Sequence, residues 1–252
     1  MLDLLHYLLI ALGINILLFI PAFKFKTDKL TDLSYSLTFI ILTVIAITLT
    51  QITFQKLILS LLIITWGLRL GIFLFIRIGK MKKDQRFDGV RESFFKFFKF
   101  WFLQGLAVWV ILLPTLFFIN SDGKEVLWIG LFIWALGLLI ESIADLQKYK
   151  FKQNKSNQDK FIQTGLWRYS RHPNYFGEML CWIGVYLFVF SSLTNMQRIL
   201  ALASPLFIIV LLLFITGLPP LEKYADKKFG RTKEYIEYKR KTSILLPWIP
   251  KR

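Results

Sequence analysis

Between residues 168 and 178 the chain reads RYSRHPNYFGE, which crowds two arginines, a histidine, an asparagine and a glutamate against an apolar run. Proline suits the first turn of a helix, where its missing N–H costs nothing, so a helix is expected to begin at Pro173. The unbonded N–H groups and positive dipole end of that helix would stand beside Arg168, Arg171 and His172, a setting suited to phosphate oxygens. Asn174 and Glu178 are four apart and share one helical face. Their side chains can hold an amide or hydroxyl group of whatever follows the phosphate. The alternative is a basic, aromatic interface belt with one capping asparagine. No second His, Cys or carboxylate stands at metal-ligand spacing from His172, so no metal site is expected.

Three more charges interrupt apolar runs: Arg69, Glu141 and Asp145. With Glu178 they make four ionisable groups at membrane depth, where Asp or Arg at a span centre costs at least ~2.5–3.5 kcal/mol and normally faces a cavity or a partner. Glu141 and Asp145 are four apart, and Lys148 and Lys152 continue their face, giving a stripe from acid at depth to base at the surface. Alternatively, Asp145 sits at the interface and caps local backbone or pairs with a lysine.

The elements that must carry these residues are membrane helices. In 252 residues, 55% are hydrophobic, too many for an ordinary soluble domain. Seven runs are long and apolar enough to cross a bilayer: roughly 4–23, 34–54, 57–78, 100–119, 126–146, 175–193 and 199–217. The fold class expected is all-α and polytopic. Of 32 Lys and Arg, 28 fall in the connections 24–32, 77–99 and 147–173 and the tail 221–252, all on one side of a seven-span chain. The positive-inside rule makes that side cytoplasmic and the N-terminus external. Anionic lipid at the cytoplasmic face accounts for most of the +16 net charge, and no nucleic-acid fold signal accompanies it. Residues 1–220 read as one transmembrane domain and 221–252 as a cytoplasmic tail. Its closing RKTSILLPWIPKR suits a segment folded back onto the membrane surface. The single cysteine, Cys181, is expected to be a buried, inert thiol.

GLWRYSRHPNYFGE (165–178) resembles the hallmark of the steroid 5α-reductase-like membrane family, in its largely uncharacterised bacterial branch. The blocks WGLRLGIFLFIRIGKMKKDQRF (66–87), LQGLAVWVILLP (103–114), ESIADLQKYKFK (141–152) and the segment from GLPPLEKYADKKFG to YIEYKRKTSILLPWIPK (217–251) match in order and spacing. The resemblance implies a seven-helix reductase in a bacterial cytoplasmic membrane. It would bind NADPH from the cytosol and pass a hydride to a carbon–carbon double bond conjugated with a ketone, in a lipid-like substrate drawn from the bilayer.

By the same resemblance, Asp145, Tyr169, Asn174 and Glu178 fall on cofactor-contacting positions. Lys152 stands where the reductases place an arginine near the phosphates, and Arg69 matches an in-membrane arginine beside the cofactor. Glu222, Tyr235 and Tyr238 lie in the closing segment. With the physical reading, the cofactor set is Arg69, Glu141, Asp145, Lys148, Lys152, Tyr169, Arg171, His172, Asn174, Glu178, Glu222, Tyr235 and Tyr238. Two departures bear on the substrate. The tyrosine that donates a proton in the reductases is replaced by Trp66, whose N–H can form a hydrogen bond but not deliver a proton usefully. The reductases' N-terminal Gln-Glu pair is not recognisable; TDLSYS (31–36) is the nearest segment, and Tyr35 is the replacement acid it offers, or an aromatic at a span boundary.

Two other classes remain open. RHPNY and the basic, Tyr-rich tail also resemble isoprenylcysteine carboxyl methyltransferases, which use S-adenosylmethionine. Those enzymes generally lack the Gly177-Glu178 and Asp145-Leu146-Gln147 elements present here. A non-enzymatic membrane scaffold or lipid-binding protein would bind no cytosolic nucleotide.

Overall fold

The computed structural model describes residues 2–80, 87–122 and 125–250, so 81–86 of the block at 66–87 lie outside the described residues. The described residues build helices and no sheet: α1 (Leu4–Lys24), α2 (Lys29–Thr48), α3 (Phe54–Lys80), α4 (Phe94–Ile119), α5 (Trp128–Gln153), α6 (Pro173–Val189), α7 (Asn195–Ala201), α8 (Ala203–Val210), α9 (Leu218–Phe229) and α10 (Lys233–Lys241). Seven helical segments among them are long and apolar enough to span a bilayer. The chain is an integral, multi-pass, all-helical membrane protein.

Several boundaries differ from the hydropathy reading, three of them for a plain local reason. Helix α2 starts at Lys29, ahead of the polar TDLSYS run. The hydroxyls of that run bond to carbonyls three residues back, Thr31 to Asp28 (2.7 Å), Ser34 to Thr31 (2.8 Å) and Ser36 to Leu33 (3.1 Å), so they can be buried. Helix α5 continues to Gln153 because Lys150 and Lys152 in its last turn complement the negative dipole end. The seventh span is broken. Pro205 lacks an N–H and its ring crowds the carbonyl four residues back, so α7 stops at Ala201, and a π turn (Leu211–Ile215) follows α8.

The chain divides into two compact units. The first comprises Met1–Val126 and Val189–Ser204. In it, Gln104 of α4 donates to Asn15 of α1 (2.9 Å) and to Ser34 of α2 (2.6 Å), and Asn15 donates to Thr38 (3.2 Å), a satisfied polar knot. Arg91, 1% exposed, is clasped by Asp28, Asp88 and Glu92. Tyr35, Phe39 and Trp66 form an aromatic ladder between α2 and α3, with both ring pairs edge-on at 5.1 Å. Arg69 lies one turn beyond Trp66, its guanidinium over the Phe73 ring at 5.8 Å.

The second unit comprises Leu127–Phe188 and Pro205–Arg252. Its organising contact is backbone on backbone. A Cβ on Gly177 would lie 2.6 Å from the Gly137 carbonyl oxygen, and one on Gly184 would lie 2.7 Å from that of Gly130. Only glycine lets α5 and α6 approach so closely. The contacts step in register, Gly130 against Phe188, Trp134 against Gly184, Gly137 against Cys181 and Glu141 against Gly177. Cys181 is buried in this seam, its thiol against the Trp134 carbonyl at 3.7 Å.

Candidate functional site

The glycine seam sets which side chains meet at the start of α6. On α5 the buried face carries Gly130, Trp134, Gly137, Glu141, Ala144 and Asp145. Glu141 and Asp145 are 3% and 8% exposed, whereas Lys152 is exposed, so the stripe runs from buried acid to solvated base as its spacing requires. Asn174 and Glu178 lie on α6, both partly buried.

A tight turn delivers the residues ahead of α6. Gly165 has φ +62, and a Cβ there would lie 2.4 Å from the Gln147 amide nitrogen. Glycine is therefore required twice over, by conformation and by space. Gln147 of α5 accepts from the Leu166 N–H (2.9 Å), and the Trp167 indole donates to the Ala144 carbonyl (3.0 Å). Lys148 stands over the Trp167 ring at 4.6 Å. Tyr169 is 40% exposed.

Arg171 and His172 then turn inward, and α9 supplies their partner. Glu222 accepts from Arg171, and its second oxygen lies 2.8 Å from His172 Nε2. Lys239 stands 3.5 Å from the same carboxylate. A carboxylate only accepts, so Nε2 carries the proton and the Nδ1 of the neutral ring is an acceptor. Burial pushes the His172 pKa below its ordinary value; Glu222 opposes this, and Lys148 and Arg171 reinforce it. The ring stacks on Tyr175 at 5.7 Å.

Three further atoms at this helix start are unsatisfied. Arg171 Nε, His172 Nδ1 and Asn174 Oδ1 are all buried with no hydrogen-bond partner among the described residues. Such an atom costs about 1–3 kcal/mol. Three within four residues, at a helix start that also leaves backbone N–H groups without intrahelical acceptors, make this the candidate place for a ligand. That ligand must offer donors to Nδ1 and Oδ1 and an acceptor to Nε. A dinucleotide offers all three in its hydroxyls, carboxamide and phosphates, and S-adenosylmethionine does so in its ammonium, hydroxyls and carboxylate. The residues present fit either group.

The two tail tyrosines are engaged within the protein. Tyr238 donates to the Trp167 carbonyl (2.6 Å), and burial pushes its pKa up. Tyr235 bonds Asp226 (3.2 Å), its pKa pushed up to about 12 by burial and then by Glu222 and Asp226. Both ring centroids lie 5.2 Å from that of Phe161. They fix the tail against the 161–168 segment. Beside Tyr238 an open groove of about 590 Å³ is lined by Arg168, Lys241, Glu234 and Glu237 among others. Its two cations and two carboxylates balance, so the groove alone does not select an anion.

The structure thus brings Lys148, Arg171, His172 and Glu222 into one cluster and sets Glu141, Asp145, Asn174 and Glu178 along its adjoining seam. Tyr35, Trp66 and Arg69 belong to the first unit. Gln147 and Gly177 stood in the sequence reading only as elements that the methyltransferases lack, and Gly130, Gly137 and Gly184 not at all. The glycines are spaced seven apart on both helices, 130 with 137 and 177 with 184, a signal present in the sequence.

The chain is 27% identical over 135 residues to an uncharacterised protein of Schizosaccharomyces pombe, covering 42% of this chain and 39% of that protein. It is 32% identical over 99 residues to protein-S-isoprenylcysteine O-methyltransferase of Saccharomyces cerevisiae, covering 39% of this chain and 37% of the enzyme. These alignments span about two fifths of the length of either relative. No solved structure matches. A family model, that of the proteins of unknown function designated DUF1295, matches residues 18–242, nearly the whole chain and all of the site just described. The chain belongs to this family, which is steroid 5α-reductase-like.

Proposed function

We propose that this protein is a membrane-embedded, NADPH-dependent reductase of a carbon–carbon double bond in a lipid-like enone. The trio of unsatisfied buried atoms on Arg171, His172 and Asn174 at the start of α6 supports a bound cofactor, and the steroid 5α-reductase-like family favours a reductase. When bound, NADPH supplies the hydride; the protein supplies binding and orientation. Arg171, with the N–H groups of the helix start, suits a phosphate oxygen. His172 and Asn174 suit hydroxyl or carboxamide donors. Glu222 holds His172 in the tautomer that leaves Nδ1 accepting. Lys148 and Lys152 add positive charge at the cytosolic end of α5.

A second reading, methyl transfer from S-adenosylmethionine, is favoured by the likeness to the yeast methyltransferase. Binding separates the two. Purified protein is expected to be stabilised more by NADPH than by NADH, and less as salt rises, because exposed charges are screened over about 10 Å at 0.1 M. Asn174→Ala is expected to abolish that stabilisation while leaving the apo-protein as stable as the parent or slightly more so, since an unsatisfied acceptor is removed. Equal shifts with NADPH and NADH would remove the 2′-phosphate from the reading. A shift with S-adenosylmethionine alone would replace the reductase with the transferase, and a destabilised Asn174→Ala that still binds NADPH would move the cofactor elsewhere.

Entry of a cytosolic nucleotide requires the basic connections to face the cytosol. In a Cys181→Ser background, a cysteine at Asn120 is expected to label with a membrane-impermeant thiol reagent on intact cells, and one at Asn157 is not. Labelling at both positions, or at Asn157 alone, would overturn this orientation.

A further inference from the structure

The last described residues form a bent strap, bonded back to the 169–171 segment, rather than a trailing tail. Ser243 bridges Ser170 in parallel, and the Arg171 N–H donates to the Ser243 carbonyl (2.8 Å). Ser170 Oγ donates to the Leu245 carbonyl (2.7 Å), and the Trp248 N–H donates to the Tyr169 carbonyl (3.0 Å). Ser243, Leu245 and Pro247 are partly covered, while Ile244, Leu246 and Trp248 point outward with exposures of 42%, 61% and 72%, followed by Ile249 at 78%. Four large apolar side chains in six residues are thus held away from the body of the unit by a backbone that is itself pinned.

The level of this strap along α5 identifies what covers them. The exposed face of α5 carries Ile129, Phe132, Leu136, Leu139, Ile143 and Leu146, an unbroken apolar stripe at helical spacing. One turn later the stripe changes to an exposed lysine, Lys150. The lipid-facing surface of this unit therefore ends between residues 146 and 150. The turn that holds the strap is tied to α5 at this level, through Trp167 to the Ala144 carbonyl and Leu166 to Gln147. A tryptophan at such a boundary sits well at headgroup depth. Pro247 and Pro250 withdraw backbone donors, which disfavours addition of a further strand from a protein partner. Lys239 and Lys241 next to the strap are already neutralised, by Asp226 (2.6 Å) and Glu237 (2.7 Å), so attraction to anionic headgroups is not the main force.

We infer that residues 244–249 are a membrane-interface anchor, inserted at the headgroup–acyl boundary through Ile244, Leu246, Trp248 and Ile249. The anchor holds the Tyr169–Arg171 backbone at a fixed depth immediately before α6. It rests on the tail's own geometry and stands or falls separately from any cofactor at that helix.

The test uses the full chain in phosphatidylcholine nanodiscs with Cys181→Ser and a single nitroxide-labelled cysteine at 244, 246 or 248. Leu139 and Ser156 serve as lipid-facing and water-exposed references. The ratio of oxygen to water-soluble nickel-chelate collision is expected to exceed that at Ser156 several-fold at all three positions and to change little with salt. Labels at 244, 246 and 248 as open to the nickel chelate as Ser156 would place the strap in water. Labels shielded from both reagents would mean that protein, not lipid, covers it. Either outcome overturns the anchor.

Discussion

Gly177→Ala is expected to be among the most damaging single-methyl changes in this protein. The added carbon would meet the Gly137 carbonyl oxygen and the Glu141 nitrogen, each at 2.6 Å, and both are helix backbone that cannot swing aside. The helices must separate, and overpacking of this kind costs about 1–3 kcal/mol. Separation would also shift Glu141 from its place against Gly177, next to the start of α6, so ligand response should fall together with the melting temperature. Gly13→Ala is the matched control, because a Cβ on Gly13 meets nothing within 4 Å. It should melt with the parent or slightly above it, since alanine is the better helix former. Equal melting of both variants and the parent would show that α5 and α6 are not in backbone contact.

The contrast between those glycines shows where sequence reasoning stops. The seven spans were legible because a bilayer demands a minimum apolar length within a single stretch of chain, a local property. The cluster at 171–178 was legible for the same reason, since Asn174 and Glu178 are neighbours by helical geometry alone. The start of α2 was not, because Lys29, Thr31 and Asp32 lower the hydropathy of the first turn, although the Thr31 hydroxyl is bonded to the Asp28 carbonyl. The break after Ala201 was signalled by Pro205, which an average over twenty residues conceals. The partner of His172 lies 50 residues away, and the strap meets its bridge at Ser170 from Ser243, so spacing along the chain carries neither. The glycine pairs are intermediate. Their common spacing of seven is visible, but which helix meets which is decided by the fold.

Glu222→Gln is expected to weaken the second unit and make it acid-sensitive. The carboxylate serves two buried donors at once, Arg171 and His172, whose side chains are 11% and 7% exposed, and is itself 17% exposed. Glutamine has one acceptor oxygen, and its amide would point two hydrogens at a donor. Removing one partner of a buried charge pair costs about 3–5 kcal/mol, because the other charge is stranded. The pH dependence follows from His172. Its folded pKa lies below its unfolded value of about 6.5, so the stability of the neutral, buried ring is fully present above that pH. It is lost as pH falls from about 6.5 toward the folded pKa, because unfolding then takes up a proton. Glu222 is what holds that folded pKa up against burial, so in the glutamine variant it drops further and the losing window extends to lower pH. Between pH 7.5 and 5.5 the variant should therefore lose more melting temperature than the parent. Glu222→Asp, which keeps the charge but shortens the reach, should fall between the two. A glutamine variant that melts like the parent at pH 7.5 and declines no more steeply on acidification would remove Glu222 as the residue that positions Arg171 and His172.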